Sequence, residues 1–260
     1  MKRIGFIGMG NMAGALARGF IASGKVHASS IFAFAPTQDK LKRNAQAIGF
    51  IPCESVFDLV DTSDMLILAC KPQQVEGVLA QIKGILAGKP LLSVAAGWSL
   101  SRFEAALGKA VRIQCIMPNV AASVGEGVFL FEEASSLSAD ELAFTKELFG
   151  KLGVVEVLPS SLMKIGMAIT GCGPAFMDMI IESYADAAVK WGIKRDVAYT
   201  LVSKTMLGSA KLQLETKSHP GVLKDAVCSP GGTTIRGVAS LEKGCLRGLC
   251  ISSIDAIMVE

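Results

Sequence analysis

From residue 1 to about residue 157, short β-branched or aliphatic runs alternate with amphipathic stretches of helical period. That pattern builds a parallel sheet covered by helices on both faces. The strand-like runs are Arg3–Gly8, Ser30–Ala35, Met65–Cys70, Pro90–Ala95 and Val111–Met117, with shorter ones at Val128–Phe131 and Val154–Val157. Helix starts between them carry Ser with an acidic residue three positions on, as in Ser55 with Asp58 and Ser138 with Glu141. After Leu158-Pro159 the strand signals stop, and the remainder reads as helices broken at Gly171-Cys172-Gly173-Pro174, Lys190-Trp191-Gly192, His219-Pro220-Gly221 and Ser229-Pro230-Gly231-Gly232. The expectation is therefore an α/β protein: a doubly wound sheet domain over 1–158, then an all-helical domain over 159–260. The helix expected over Pro174–Lys190 shows two apolar strips, one through Ala175 and Met179, the other through Phe176, Ile180 and Tyr184. A helix apolar on two sides needs a partner on both, which points to dimerisation or to burial within one chain.

Composition sharpens this picture. At 260 residues, with 51% apolar and 19% charged residues, the chain is long enough for a substantial core and far from a disordered composition. The 26 Lys and Arg against 23 Asp and Glu are scattered, so nucleic acid is not an expected partner. Charges such as Lys164, Asp178 and Glu182 interrupt the most apolar stretches, and no membrane span is expected. The chain opens directly on a strand without an apolar leader, which reads as cytoplasmic. Seven cysteines without a C-x-x-C pair and only two histidines, His27 and His219, point to reduced, mostly buried thiols and to no metal site.

Chemistry enters at the end of the first strand. Gly8-Met9-Gly10-Asn11-Met12-Ala13 matches G-x-G-x-x-A, follows a strand and opens a helix. The first Gly permits the tight turn, the second lets backbone approach a pyrophosphate, and the small third residue lets helix and strand pack. Three small residues near a strand end also make simple turns; the strand before, helix after and second strand at the right distance favour a dinucleotide site of Rossmann type. The second strand ends in Ala35-Pro36-Thr37-Gln38, without the carboxylate that normally binds the ribose hydroxyls of NAD. Thr37, Gln38 and Lys40 can instead meet a 2'-phosphate, so NADP(H) is preferred and NAD(H) is the second candidate; Lys40 also reads as an ordinary solvated lysine. Ala69-Cys70-Lys71-Pro72, Ala95-Ala96-Gly97 and Met117-Pro118-Asn119 fall at further strand ends, where the crevice of such a sheet lies, or else are plain turns and helix starts.

In the helical part, Ser229-Pro230-Gly231-Gly232-Thr233-Thr234 opens a helix with several N–H groups pointing one way and hydroxyls beside them, which suits a carboxylate. The same residues also make an ordinary helix–helix turn with a hydroxyl N-cap.

The segment PGVLKDAVCSPGGTTIRGVASLE, Pro220 to Glu242, resembles the signature of the pyrroline-5-carboxylate reductases in its Pro220, Leu223, Val227, Cys228, Ser229, Gly231, Gly232, Thr234, Gly237, Val238, Leu241 and Glu242. The opening IGFIGMGNM, the ACKP, SVAAG and MPN turns and the Gly173-Pro174-Ala175 helix start extend the resemblance over essentially the whole chain. Cys70 stands where the family usually has Val, and Cys172 where it usually has Ser. The resemblance implies NAD(P)H-dependent reduction of 1-pyrroline-5-carboxylate to L-proline. It further implies that Gly8, Gly10, Asn11 and Met12 hold the pyrophosphate, that Ala35, Pro36 and Thr37 flank the adenosine ribose, and that Ala69, Cys70, Lys71 and Pro72 with Ala95, Ala96 and Gly97 line the nicotinamide side. Asn119, in the matching MPN turn, joins that set. The substrate carboxylate would lie on the backbone of Ser229, Pro230, Gly231, Gly232, Thr233 and Thr234, with the Thr234 hydroxyl turned to the ring nitrogen as the catalytic group. A homodimer with interlocked helical domains is implied as well, and a decamer where dimers close into rings of five.

Two alternatives bracket this reading. The 3-hydroxyacid dehydrogenases share the layout but need an Asn one turn after a catalytic Lys, and Lys164 is followed by Ile165, Gly166, Met167 and Ala168. A catalytically silent NADP(H) sensor would keep the pocket without turnover.

Overall fold

A computed structural model describes residues 2–86 and 88–259; Met1 and Glu260, the outermost residues of the two expected domains, lie outside it. The chain parts into two compact units between Gly171 and Cys172. This is later than Leu158-Pro159, because the first helical turns after the sheet pack back onto its strands.

The first unit is built on an eight-stranded sheet: β1 (Ile4–Ile7), β2 (Ile31–Phe34), β3 (Ile51–Pro52), β4 (Met65–Leu68), β5 (Leu91–Ser93), β6 (Ile113–Met117), β7 (Gly127–Ser135) and β8 (Gly153–Leu158). Its order is β3-β2-β1-β4-β5-β6-β7-β8, the reversal across β1 and β4 marking the crevice of a doubly wound fold. Six helices follow strands: α1 (Asn11–Ala22), α2 (Gln38–Ile48), α3 (Val56–Thr62), α4 (Val75–Ile82), α5 (Leu100–Leu107) and α6 (Ala139–Gly150), with the short α7 (Met163–Met167) packed on β7. Ser55 Oγ accepts from Asp58 N at 3.1 Å, and Ser138 with Glu141 forms a reciprocal capping box, as the sequence pattern predicts.

Two departures from the predicted sheet have simple causes. β3 escapes the hydrophobic pattern because it is two exposed residues at the sheet edge, where Pro52 needs to donate no ladder bond. β7 runs antiparallel to β6, whereas the pattern suggested parallel strands throughout. The link between them is too short for a crossover helix, so the chain returns alongside; α6 then restores a parallel pair, β7 with β8.

Two apolar clusters lie against the sheet. One joins α1, α6 and the strands around Phe20, whose ring meets Phe149 edge-on at 5.4 Å, while Phe149 also meets Phe129 at 5.1 Å. Each such pair adds about 0.5–1.5 kcal/mol beyond area burial. The other cluster gathers Leu59, Leu66, Leu79, Ile82, Phe103 and Ile113 from α3, α4, α5 and their strands.

The second unit is helical: α8 (Gly173–Lys190), α9 (Arg195–Thr216), α10 (Pro220–Ala226), α11 (Thr233–Lys243) and α12 (Leu246–Met258). Gly171-Cys172-Gly173-Pro174 does not break the chain's helical course as predicted; one wide turn, Ala168–Cys172, leads directly into α8, with Pro174 in its first turn where no N–H is missed. The run Ser160–Lys190 holds an 18-residue window of mean hydropathy 1.2, which gives it the length and composition of a membrane span where the sequence pattern led to none. Asp178, Glu182 and Asp186 stud it, and Asp186 is paired with Arg195 at 2.5 Å.

Candidate functional site

The glycine-rich turn is clamped between neighbouring strands. Gly8 N donates to Phe34 O at 2.8 Å, and Ala69 N donates to Ile7 O at 2.9 Å. Gly8 has φ of +95°, and a Cβ there would stand 2.9 Å from Ala69 O, so only glycine fits. Gly10 differs: it starts α1 in extended conformation without a side-chain cap, and a Cβ on it would meet nothing within 4 Å. The first-turn N–H groups of α1 therefore face open space beside Gly10, the arrangement that receives a phosphate. Asn44 on α2 steadies the turn, its Nδ2 donating to Met9 O at 3.2 Å. Ala13, the small residue ending the motif, is fully buried between helix and sheet.

Above this turn opens a cleft of about 510 Å³. It brings together Gly8, Gly10, Ala35, Pro36, Thr37, Ala69, Cys70 and Lys71 from the predicted set, and Lys40 with them. Lys40 and Lys71 line it, and among the described residues no carboxylate does. A cleft that is electropositive by composition, with an uncapped helix start and space in place of a side chain at Gly10, fits a dinucleotide bearing an extra phosphate. Gln38 does not join it; its Nε2 donates to Ala35 O at 3.1 Å and so holds the end of β2 in shape.

Other predicted residues stand outside the cleft lining. Met12 packs against the core, and Asn11 sits exposed at the helix start. Asn119 is buried with its Oδ1 accepting from Val128 N at 3.1 Å, which fastens the turn after β6 to β7. Ala95 is buried and its N–H reaches Ser93 Oγ at 3.3 Å, whereas Ala96 and Gly97 are exposed. Their turn is nevertheless tied to the cleft: Trp98 Nε1 donates to Pro72 O at 3.4 Å, joining the turns after β4 and β5.

Sequence reasoning missed the wall contributed by Gln74, Gly77, Val78 and Gln81. Their spacing puts them on one helical face following the Ala69–Pro72 turn, a signal that was available. Burial pushes the Cys70 thiol up, so it stays protonated at neutral pH and offers no nucleophile. Both histidines make local contacts: His27 Nδ1 lies 2.7 Å from Ser29 Oγ, and His219 Nδ1 accepts from Gly221 N at 3.0 Å as the cap of α10. Among the described residues no group of His, Cys, Asp or Glu is arranged to hold a metal ion.

In the helical unit, the Ser229–Thr234 corner forms a tight turn. Gly231 has φ of +67°, Gly232 N donates to Ser229 O at 3.0 Å, and Gly232 begins α11 in extended conformation. The hydroxyl cap expected for an ordinary helix–helix turn is not made, and Thr233 and Thr234 are exposed. The corner thus exposes two hydroxyls beside the uncapped start of α11, a setting that suits a carboxylate.

Comparison with known proteins covers both units. Residues 160–260 match the family model for pyrroline-5-carboxylate reductase dimerisation, and residues 3–97 match that for coenzyme F420-dependent NADP oxidoreductases. The pyrroline-5-carboxylate reductase of Treponema pallidum is 38% identical over 259 residues, covering 98% of each chain. That of Methanosarcina acetivorans is 39% identical over 254 residues, covering 97% of this chain and 94% of the relative. Among solved structures, the pyrroline carboxylate reductase of Plasmodium falciparum with NADP bound superposes with a TM-score of 0.89 at 30% identity, covering 98% of this chain and 95% of that one.

Proposed function

The chain belongs to the pyrroline-5-carboxylate reductase family, and from that premise we propose how its residues carry out the reduction of 1-pyrroline-5-carboxylate to L-proline with NAD(P)H. The observation that carries the assignment is the carboxylate-free cleft over Gly8 and Gly10, with Lys40 and Lys71 on its walls. Gly8, Gly10 and the first-turn N–H groups of Asn11 and Met12 would hold the pyrophosphate. Ala35, Pro36 and Thr37 would flank the adenosine ribose, and Thr37 with Lys40 would meet a 2'-phosphate, which favours NADP(H) over NAD(H). Ala69, Cys70, Lys71 and Pro72, the linked Ala95-Ala96-Gly97 turn and Asn119 behind it would frame the nicotinamide end.

When bound, the reduced nicotinamide supplies a hydride for the C=N carbon; the protein's share is to hold, orient and desolvate. The substrate carboxylate would lie against the backbone of Ser229, Pro230, Gly231, Gly232, Thr233 and Thr234, with Pro230 contributing shape and Gly232 N keeping its bond to Ser229 O. Thr234 would orient the ring nitrogen through its hydroxyl, which is too weakly acidic to act alone, so the nitrogen's proton comes from water.

The exposed apolar side chains of the helical unit support a homodimer, and the run Ser160–Lys190 is assigned to a second copy of the chain rather than to lipid. The decamer is the further closed form such dimers would take. Seven free cysteines accord with a reducing cytoplasm. The test is direct: protein mixed with NADPH and pyrroline-5-carboxylate should drain cofactor absorbance. Thr234→Ala should lower kcat/KM by about ten- to a hundredfold. Undiminished turnover in that variant removes Thr234 from the site, and a flat trace with cofactor bound refutes the whole scheme.

A further inference from the structure

The Glu132 carboxylate in β7 is buried at 4% exposure, and among the described residues it is met by no cation. Its Oε2 instead accepts from Leu100 N at 2.9 Å, the first residue of α5. Burial, with the Glu132 carboxylate close by, pushes the thiol of Cys115 in β6 up. Glu132 lies where the β6–β7 ladder slips: Gln114 pairs Ser135 while Ile116 pairs Phe131. The extra β7 residues bulge there, and bulges re-aim side chains. Gln114 secures the distorted strand, its Nε2 donating to Glu132 O at 2.8 Å, while its Oε1 is left without a partner. A buried, unpaired carboxylate is an expensive choice for a strand, and an apolar residue would fill the same place.

What the carboxylate holds is the end of one turn. Residues 94–99 run from β5 to α5, and several bonds fix them. Glu132 anchors the α5 end, Arg102 Nη1 donates to Gly97 O at 3.4 Å, and Trp98 Nε1 donates to Pro72 O at 3.4 Å. Trp98 is itself seated on Phe103, with ring centroids 4.9 Å apart, and under the Arg102 guanidinium. The turn is thereby set against Ala69-Cys70-Lys71, which lines the cleft.

We propose that Glu132 is a positioning residue for hydride transfer, holding the start of α5 so that the Ala95-Ala96-Gly97 turn and the Ala69–Pro72 turn keep the spacing that grips the nicotinamide end of the cofactor. This rests on the cofactor reading given above. Glu132 touches neither cofactor nor substrate; it acts through Leu100 and Trp98. Its loss loosens the nicotinamide end while leaving the glycine-rich end as it was.

The experiment compares wild type, Glu132→Gln and Trp98→Phe in the full chain, using 2',5'-ADP as a probe of the glycine-rich end and bound-NADPH fluorescence as a probe of the nicotinamide end. Trp98→Phe removes the bond to Pro72 O without touching the buried charge, so the question stays decidable if Glu132→Gln fails to fold. Both variants are expected to bind 2',5'-ADP within about twofold of wild type, to lose the fluorescence enhancement of bound NADPH, and to show kcat lowered about tenfold, the usual consequence of a small misplacement. Wild-type kcat and fluorescence in the variants, even with a lower Tm, would overturn the proposal and leave Glu132 a purely structural group. Failure of wild type to bind 2',5'-ADP would remove the cofactor reading itself, an outcome separate from the first.

Discussion

The sheet unit encloses its large apolar side chains, among them Phe6, Phe20, Phe103, Phe129 and Phe149, while among the described residues the helical unit encloses only Gly173, Ala185 and Ala198. Met179, Leu214, Leu249 and Ile251 of the helical unit are more than half exposed. The difference teaches that the two units satisfy the hydrophobic effect by different routes. A doubly wound sheet covers both faces with its own helices. A layer of helices apolar on two sides has a second face left over, the face at which the proposed homodimer would meet.

The sharpest way to break this comparison is to charge the exposed helical face. Leu207→Glu with Leu214→Glu, two positions on one face of α9, should convert dimers or larger assemblies to monomers in light scattering and cut turnover more than about a hundredfold. Binding of 2',5'-ADP by the sheet unit should survive. Assemblies that persist at full activity would put the interface elsewhere.

Next in size is the contrast within the glycine turn. Gly10→Val adds atoms where the structure has open space, so Tm should hold while NADPH affinity drops by about thirtyfold or more. Gly8→Ala should instead lower both, since its Cβ meets Ala69 O and its φ is left-handed, a strain of about 1–3 kcal/mol. Equal Tm losses in the two variants would contradict the placement of Gly10 at the mouth of the cleft.

A smaller effect is expected from Lys40→Ala, which should raise KM for NADPH about tenfold with little change for NADH. A parallel loss for both cofactors would make Lys40 a general electrostatic aid rather than a 2'-phosphate ligand.

The smallest concerns the sheet unit's stability. The Arg3 guanidinium and backbone N–H hold the Asp64 carboxyl below its usual range, with Arg3 Nη2 at 3.0 Å from Oδ1. A carboxyl lowered in the folded state stabilises above its unfolded pKa, and that contribution fades as pH falls through the folded value. The pair is half exposed and its worth is small. Asp64→Asn should therefore cost a little stability near pH 7 and nothing once both states are protonated. An unchanged gap in Tm between pH 7 and strongly acidic solution would contradict that reading.

Much of the cofactor half was legible in the sequence, because its signals are local. Gly8, Gly10 and Ala13 lie within one turn, and the Ser55 and Ser138 caps span three residues. Thr37 and Lys40 follow directly from where β2 stops. Gln38 is less legible because a side-chain amide next to a strand end bonds equally well to backbone, and its bond to Ala35 O depends on where that carbonyl lies. The contribution of Val78 and Gln81 was readable from helical spacing once the helix after Pro72 was placed over the cleft. Glu132 was not readable: an acidic residue just past the expected strand Val128–Phe131 and followed by Glu133 looks solvent-facing until a bulge turns it toward α5.

Apart from β3, the order of strands and helices follows from the sequence, as do the glycine-rich turn, the lack of an acidic residue after β2 and the glycine-threonine corner before α11. All of these depend on residues a few positions apart, whose backbone preferences act in any surroundings. Tertiary structure alone decided the reversed direction of β7, the burial of Glu132 against Leu100, the bond from Trp98 to the Ala69–Pro72 turn and which apolar residues remain uncovered. Apart from the direction of β7, set by its short link to β6, those depend on segments dozens of residues apart meeting in space, and burial is a property of the meeting rather than of either segment.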